Sequence, residues 1–412
     1  MSFDVAAIRA DFPIFNRKID GKPIVYLDSG ATSQKPNAVL DAMDDYYRNH
    51  SASVNRGAYT LAAEANDLVD EARELVAKFI GAPKTHEVIF TKNATEAANL
   101  FAHSWGRANL SAGDVVVITE MEHHANIVPW HMLVESNGIE LRWIPITESG
   151  ELDLSDLDTL IDGAKLVSVT AMSNVLGTMN PIRRIADAAH AAGAIMMADG
   201  SQYVPHVPTN VVEMGVDAMF FTGHKMLGPT GVGVFWGTTE LLEAMPPFLG
   251  GGDMIMQVTK EGFTTNALPH KFEAGTPMVA EIIGLGAAIK YLNNLGMENV
   301  REHEVSLTAY ALRTLNERFG DDITIHGPAE PASRGGALSM AYKDVHPHDL
   351  SQVLDQANVC VRAGHHCAKP LMQIMGVNST ARASLYIYND ESDIDTLADA
   401  LESADDIFGM GF

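Results

Sequence analysis

The chain has 412 residues, more than a single hydrophobic core usually supports, so at least two domains are expected. Its formal net charge of -25 argues against nucleic acid and anionic membranes as partners, because both attract basic surfaces. Two cysteines exclude a disulfide framework, and no apolar stretch resembles a signal peptide or a membrane span. The composition therefore predicts a soluble protein of a reducing compartment, most simply the cytoplasm.

Short apolar runs rich in β-branched residues alternate with helix-like segments over the first two thirds of the chain. Segments 96–109 and 182–192 are examples of the helical pattern. This alternation is typical of an α/β fold with a mainly parallel sheet covered by helices. The predicted strands are 87–90, 114–119, 141–144, 165–170, 194–199, 218–221 and 233–236.

A candidate phosphate site follows the first of these strands. Thr95 opens a predicted helix just after strand 87–90. Free N–H groups and the positive end of the helix dipole suit a phosphate at such a place. By itself, however, a threonine there is more often only a helix cap.

An acid and an amine follow two successive predicted strands. Asp199 ends strand 194–199, and Lys225 follows strand 218–221. Active sites of parallel sheets lie at the carboxyl ends of the strands. A carboxylate and a lysine placed there suit a pyridine-ring cofactor, and a structural ion pair explains the two residues equally well. The glycines of 228–233 lack the spacing of a nucleotide loop and predict a turn.

The pattern changes beyond about residue 290. A long helix and short strands there predict a smaller α+β domain, which would deliver Cys367 and Arg382 to a cleft with the large domain. The predicted large domain is 22–290, and the small domain comprises 1–21 and 291–412. The predicted elements of the small domain are a helix at 300–319 and strands at 337–341, 359–361 and 381–388.

Cys367 stands in a basic sequence context. Arg362, His365 and His366 surround it, and cationic neighbours favour the reactive thiolate. Two other interpretations remain open: a small inert cysteine, or a zinc corner, although no second cysteine pair completes such a site. Cys360 lies in an apolar run and is predicted to be a small buried hydrophobic residue of a strand.

Taken together, these motifs resemble the pyridoxal-phosphate-dependent cysteine desulfurases of the class V aminotransferase type, specifically the SufS type (group II). The resemblance runs nearly end to end and implies the PLP-dependent transferase fold type I. The matching motifs are YLDSGATSQKP (26–36), MEHHANIVPW (121–130), SNVLGT (173–178), ADGSQ (198–202), TGHK (222–225), FEAGTP (272–277), RAGHHCA (362–368) and RASL (382–385). The chain differs from the usual pattern at Ala94, Thr222 and 278–281.

The resemblance implies pyridoxal 5'-phosphate as the cofactor, no metal, and a role for each matched residue. Lys225 would form the Schiff base, Asp199 would pair with the ring nitrogen, and Cys367 would take the sulfur. The other implied contacts are His123 stacked on the ring and active in proton transfer, Gln202 at the ring hydroxyl, Asn174 at the ring and substrate, Thr95, Thr222 and His224 at the phosphate, Thr276 from the other subunit, Arg382 at the substrate carboxylate, and Arg362 near the substrate thiol.

The implied activity is conversion of L-cysteine to L-alanine, with a persulfide formed on Cys367. The implied partners are a second copy of the chain and a SufE-like or SufU-like protein that accepts the sulfur for iron-sulfur cluster assembly. A selenocysteine lyase with the same cofactor chemistry is the alternative function. An aminotransferase and a non-catalytic sulfur carrier or zinc scaffold are more distant alternatives.

Overall fold

The structure is a computed structural model that describes residues 3–55 and 57–408. The strands are β1 (Lys18–Ile19), β2 (Lys22–Pro23), β3 (Val25–Tyr26), β4 (Val88–Thr91), β5 (Val115–Thr119), β6 (Glu140–Ile144), β7 (Ala164–Thr170), β8 (Ile195–Asp199), β9 (Ala218–Thr222), β10 (Gly233–Gly237), β11 (Ile255–Val258), β12 (Phe263–Thr265), β13 (Ile323–Ile325), β14 (Ala337–Tyr342), β15 (Val359–Cys360), β16 (Arg362–Gly364) and β17 (Thr380–Ser384).

The α-helices are α1 (Val5–Ala10), α2 (Asn37–Asp45), α3 (Thr60–Phe79), α4 (Ala94–Phe101), α5 (Arg107–Asn109), α6 (Val128–Asn137), α7 (Leu157–Ile161), α8 (Ile182–Ala191), α9 (Val211–Met214), α10 (Thr239–Ala244), α11 (Val279–Leu295), α12 (Met297–Phe319), α13 (Pro347–Gln356), α14 (Lys369–Ile374) and α15 (Glu391–Phe408).

The main sheet has seven strands in the order β4-β10-β9-β8-β7-β5-β6. Strand β10 is antiparallel to both of its neighbours, and the other neighbouring pairs are parallel. Every predicted strand of the large domain corresponds to one of these seven. The prediction of a mainly parallel seven-stranded α/β sheet is therefore confirmed.

Both faces of this sheet are covered, and the alternation along β5 shows how. Val115 and Val117 face one apolar cluster, which also contains buried residues of α3, α8 and α11. Val116 and Ile118 face the other cluster, with buried residues of α4 and α6. Because successive side chains of a strand point to opposite faces, a strand buried on both sides is apolar at most of its positions. This is why the strands read as continuous apolar runs in the sequence.

A second sheet, β13-β14-β17-β16, is antiparallel and packs with α12, α13 and α15 around a separate apolar cluster. The predicted smaller α+β part is therefore present. A short parallel pair, β3 with β15, joins residues 25–26 to this part. The boundaries given above for the two domains stay a prediction.

Three predicted elements differ from the structure by two residues or more. The helix predicted at 300–319 starts at Met297, three residues earlier. Strand β17 ends at Ser384 rather than continuing to residue 388, because Tyr386 and Asn389 form a turn in which each bonds the other. The helix predicted at 96–109 starts at Ala94, two residues earlier, and continues as a π-helical turn over residues 102–106. Its cap is Asn93, whose side chain accepts a hydrogen bond from the Glu96 N–H.

Candidate active site

A cavity of about 160 Å³ lies at the carboxyl ends of the central strands, between the main sheet and the segments that contain Cys367 and Arg382. Parallel strands bring residues that are distant in sequence to this edge. The predicted site residues that line it are Thr95, His123, Asn174, Asp199, Gln202, Thr222, His224, Lys225, Arg362, Cys367 and Arg382. Thr276 is not among the lining residues and is exposed on the loop before α11.

Asp199 and Lys225 are two ionisable residues at the carboxyl ends of β8 and β9. Asp199 is buried, and its carboxylate accepts a hydrogen bond of 2.8 Å from the Ser201 N–H. Burial raises the Asp199 pKa, while Ser201 and Lys225 lower it. Burial lowers the Lys225 pKa to about 8, although Asp199 raises it. The Lys225 amine is therefore far easier to deprotonate than an ordinary lysine.

Arg382 is a buried cation that uses only part of its hydrogen-bonding capacity. Its Nη1 donates to the Asn174 carbonyl at 2.7 Å, and its Nη2 lies 3.4 Å from Asp28 Oδ1. Its Nε has no hydrogen-bond partner among the described residues. A buried guanidinium that lines a cavity with unused donor capacity is suited to a carboxylate ligand. Asp28 is a site residue that the sequence analysis did not identify.

His123 is a neutral ring in this site. Its Nδ1 accepts a hydrogen bond of 3.0 Å from the Ala125 N–H, so the proton of the neutral ring lies on Nε2. Burial lowers the His123 pKa to about 3, and Lys225 is the next largest cause. The ring can therefore stack against a ligand or donate from Nε2 without carrying a charge at neutral pH.

Glu122, the residue before His123, was also missed by the sequence analysis. It is fully buried and accepts hydrogen bonds from Thr119 Oγ1 at 2.8 Å, the Thr170 N–H at 2.8 Å and Asn126 Nδ2 at 2.7 Å. Burial raises its pKa to about 8, although these bonds lower it. The carboxyl group thus links the ends of β5 and β7 through Thr119 and Thr170. The sequence signal that could have identified Glu122 was the presence of an acid within the motif MEHHAN.

The Cys367 loop differs in one respect from the prediction. His366 was expected to be a cation that activates the thiol. It is buried, its Nε2 lies 2.9 Å from Thr380 Oγ1, and burial followed by Arg382 lowers its pKa to about 3. His366 is therefore neutral, and the nearby cations are the Lys225 amine and the guanidinium groups of Arg362 and Arg382.

The zinc interpretation has no ligand set in the part of the chain that the structure describes. No three His, Cys, Asp or Glu side chains are grouped there so as to hold a metal ion. Cys360 lies in β15, as predicted, but is only half-buried, and burial raises its pKa.

The other end of the cavity suits an anion. Helix α4 begins there, and the first N–H groups of a helix have no partner within it. Gly233 allows the close approach of this helix start, since a Cβ at residue 233 would lie 2.5 Å from the Asn93 carbonyl carbon. Thr222 Oγ1 is buried without a partner in the described residues. Burial lowers the His224 pKa to about 4, so its ring is neutral there.

These features fit pyridoxal phosphate on observations of this chain alone. The unpartnered Thr222 hydroxyl and the start of α4 suit the phosphate, Asp199 suits a protonated ring nitrogen, and Lys225 suits the aldehyde. Gln202 lines the same cavity, with its Nε2 bonded to the Gly30 carbonyl at 2.8 Å.

Replacing Thr222 by valine tests the phosphate end. We expect pyridoxal phosphate to bind about 10-fold or more weakly, because a hydrogen bond to a charged group contributes roughly 1.5–3 kcal/mol. The apo protein should be as stable as the wild type or more so, since the variant removes an unpartnered buried hydroxyl. Titration with cofactor and chemical denaturation of the apo protein measure both effects. Unchanged affinity would contradict the assignment, and Thr178→Val, which removes a hydroxyl bonded to Gly150 away from the cavity, is the control.

Comparison with known proteins agrees with this site. Residues 25–397 match the family described as Aminotransferase class-V. A probable cysteine desulfurase of Streptomyces coelicolor is 50% identical over 98% of both chains. One of Halalkalibacterium halodurans is 47% identical over 98% of this chain and 99% of the other.

Solved structures give the same result. The apo cysteine desulfurase of Thermococcus onnurineus has a TM-score of 0.92 and 36% identity over 97% of each chain. The cysteine desulfurase CsdA of Escherichia coli has a TM-score of 0.90 and 35% identity, over 99% of this chain and all of the other. The fold is thus that of the PLP-dependent transferases of fold type I. The chain belongs to the aminotransferase class-V family, in the branch of the cysteine desulfurases.

In the described part of the chain, no helix is both long enough and apolar enough to cross a membrane.

Proposed function

We propose that this protein is a pyridoxal-phosphate-dependent cysteine desulfurase of the SufS type, which converts L-cysteine to L-alanine and retains the sulfur on Cys367. The observation that carries the proposal is the lining of a single cavity by the Lys225 amine, the buried Arg382 guanidinium and the Cys367 thiol. The amine serves the cofactor, the guanidinium serves the substrate carboxylate, and the thiol accepts sulfur. Transamination requires no such thiol.

Lys225 and Arg382 prepare the substrate. Arg382 binds the carboxylate through the donor capacity that Asn174 and Asp28 leave free. When bound, pyridoxal phosphate supplies an electron-withdrawing ring that accepts the electron pair left by removal of the α-proton. With its pKa lowered to about 8, Lys225 is the base for that proton. Neutral His123 lines the same cavity and can donate the proton that it carries on Nε2.

The sulfur is transferred by Cys367. Its thiolate attacks the sulfur of L-cysteine, and the bond between that sulfur and the substrate Cβ breaks. The carbon keeps the electron pair of that bond and takes up a proton, so that L-alanine leaves and Cys367 carries a persulfide. The sum is L-cysteine plus a thiol giving L-alanine plus a persulfide, and no external oxidant is needed. Arg362 lines the same cavity as Cys367.

We further propose that the persulfide passes to a SufE-like or SufU-like acceptor in the cytoplasm, for iron-sulfur cluster assembly. The basis is the SufS-type motif RAGHHCA and the position of Cys367, which is half-buried rather than buried. Separately, we propose the division of the chain into a large domain, residues 22–290, and a small domain of residues 1–21 and 291–412.

We also propose a homodimer in which Thr276 of one subunit completes the phosphate site of the other. Thr276 is exposed and does not line the cavity of its own chain, although it lies in the matched motif FEAGTP. Light scattering of the cofactor-loaded protein should give a dimer, and a monomer with full cofactor occupancy would contradict the proposal. Thr276→Val should weaken cofactor retention without changing the stability of the subunit core.

The direct test of the activity is the assay of L-alanine and sulfide from L-cysteine in the presence of a thiol reductant. We expect equal amounts of the two products. The ratio of L-cysteine to L-selenocysteine turnover separates this function from a selenocysteine lyase, because both reactions yield L-alanine. Absence of L-alanine from cofactor-loaded protein would refute the proposed function.

A further inference from the structure

The backbone around Cys367 is strained. His366 and Cys367 have φ values of 50° and 57°, in the left-handed region that non-glycine residues rarely adopt. Such conformations cost of order 1–3 kcal/mol each and persist only where surrounding contacts fix them. The loop therefore needs anchors, and those anchors decide where the thiol lies.

His124 provides two of these anchors. Its backbone N–H donates to the Cys367 carbonyl at 2.7 Å, and its Nε2 accepts from the Lys369 N–H at 3.0 Å. Lys369 is the first residue of α14, and the preceding residue, Ala368, makes no side-chain cap bond. His124 thus replaces the missing cap and holds the residues on both sides of Ala368.

The other anchors of the loop act at different atoms. Asn174 Nδ2 donates to the His366 carbonyl at 2.7 Å, and the Cys367 N–H donates to His365 Nδ1 at 3.1 Å. Neither bond involves the start of α14. Among the contacts described for the loop, the side chain of His124 alone bonds the Lys369 N–H.

The contact requires an uncharged His124, because only an unprotonated Nε2 accepts a hydrogen bond. The groups that face it are His123 and His365, with ring centroids 6.3 and 5.6 Å away, and Lys369. Burial, followed by His365 and Lys369, lowers the His124 pKa. The ring is therefore neutral at physiological pH and able to accept.

We propose that His124 is a positioning residue for sulfur transfer, which holds the Cys367 loop in its left-handed conformation through Nε2 and so fixes the thiol at the cavity. This inference rests on the proposed function. His124 does not line the cavity and makes no contact with the reacting atoms, so its effect is on the placement of Cys367. A displacement of a reacting group by about 1 Å lowers the rate on the order of 100-fold.

Three substitutions of His124 separate this role from general loss of structure. Leucine removes the acceptor, asparagine keeps polarity but is too short to reach Lys369, and glutamine carries an oxygen about as far along the side chain as Nε2. The backbone N–H bond to Cys367 is retained in all three. His131→Leu is the control, because His131 is an exposed histidine of α6.

The measurements are hydrogen exchange of residues 364–372 in the cofactor-loaded protein, and kcat and KM for L-alanine formation from L-cysteine. For the Leu and Asn variants we expect faster exchange in this segment, a kcat reduced about 10- to 100-fold, a KM within about twofold, and an unchanged cofactor spectrum. The Gln variant and the control should remain close to the wild type in exchange and kcat.

The proposal is overturned if the Leu and Asn variants exchange like the wild type, if their kcat is unchanged, or if glutamine fails to restore both properties. Should the Leu variant not fold, the comparison of Asn with Gln decides. Failure of the proposed function is a different result. In that case the wild type itself forms no L-alanine, while the exchange data still report whether His124 holds the loop.

Discussion

Replacing Cys367 by alanine should reduce L-alanine formation from L-cysteine by about three orders of magnitude or more, because loss of a covalent nucleophile has an effect of at least this size in enzymes. The cofactor spectrum and the free energy of unfolding should change little, since Cys367 is half-buried in a loop and takes no part in an apolar cluster. Steady-state assays and a visible spectrum of the same preparation measure both properties.

Cys360→Ala is the matched control for this experiment. Cys360 is also half-buried, but it lies in β15 away from the cavity, and its pKa is raised by burial. The control should keep full activity. Full L-alanine formation by the Cys367→Ala variant would show that the reaction does not need this thiol and would contradict its role as the sulfur acceptor.

Replacing Lys225 by alanine should abolish the absorbance of covalently bound cofactor. It should also lower L-alanine formation by about 10²- to 10⁴-fold, the usual contribution of a positioned base. The cofactor should still associate non-covalently, because the phosphate end and Asp199 are intact. The measurements are a visible spectrum, borohydride reduction followed by peptide mass mapping, and the steady-state rate.

Two further substitutions define what the Lys225 result means. Lys225→Arg keeps a cation beside Asp199 but has no amine to attach the cofactor, so it should be as inactive as the alanine variant. Lys165→Ala removes an exposed lysine of β7 and should behave like the wild type. Covalent cofactor recovered at another lysine of active wild-type protein would contradict the assignment.

Much of the fold follows from local sequence pattern. A strand buried on both faces is apolar at most of its positions, and β5 and β9, each with four apolar residues in succession, were therefore recognisable without knowledge of their neighbours. Asp199 was recognisable as a candidate site residue because it ends such a strand, whereas Thr222 was identified only through the resemblance to known proteins. The end of β17 was not predictable in the same way, since a turn between Tyr386 and Asn389 overrides an apolar run.

The protonation states of the site depend on contacts that a sequence pattern does not contain. His366 is adjacent to Cys367 in sequence, but burial and the Arg382 guanidinium lower its pKa and keep it neutral, although its hydrogen bond to Thr380 opposes this shift. Arg382 is held by the Asn174 carbonyl, 208 residues away. The partner of Thr276 would lie on a second chain. These properties arise from tertiary packing, and only the structure or a resemblance to known proteins reveals them.

The central claim is that Cys367 takes the sulfur of L-cysteine. The most direct measurement is a single turnover of cofactor-loaded protein with one equivalent of L-cysteine and no reductant, followed by mass spectrometry of the intact protein and of its peptides. The account predicts one added sulfur atom on the peptide that contains Cys367, and an equal amount of free L-alanine. L-Alanine formed without added sulfur on Cys367, or sulfur found only on Cys360, would contradict it.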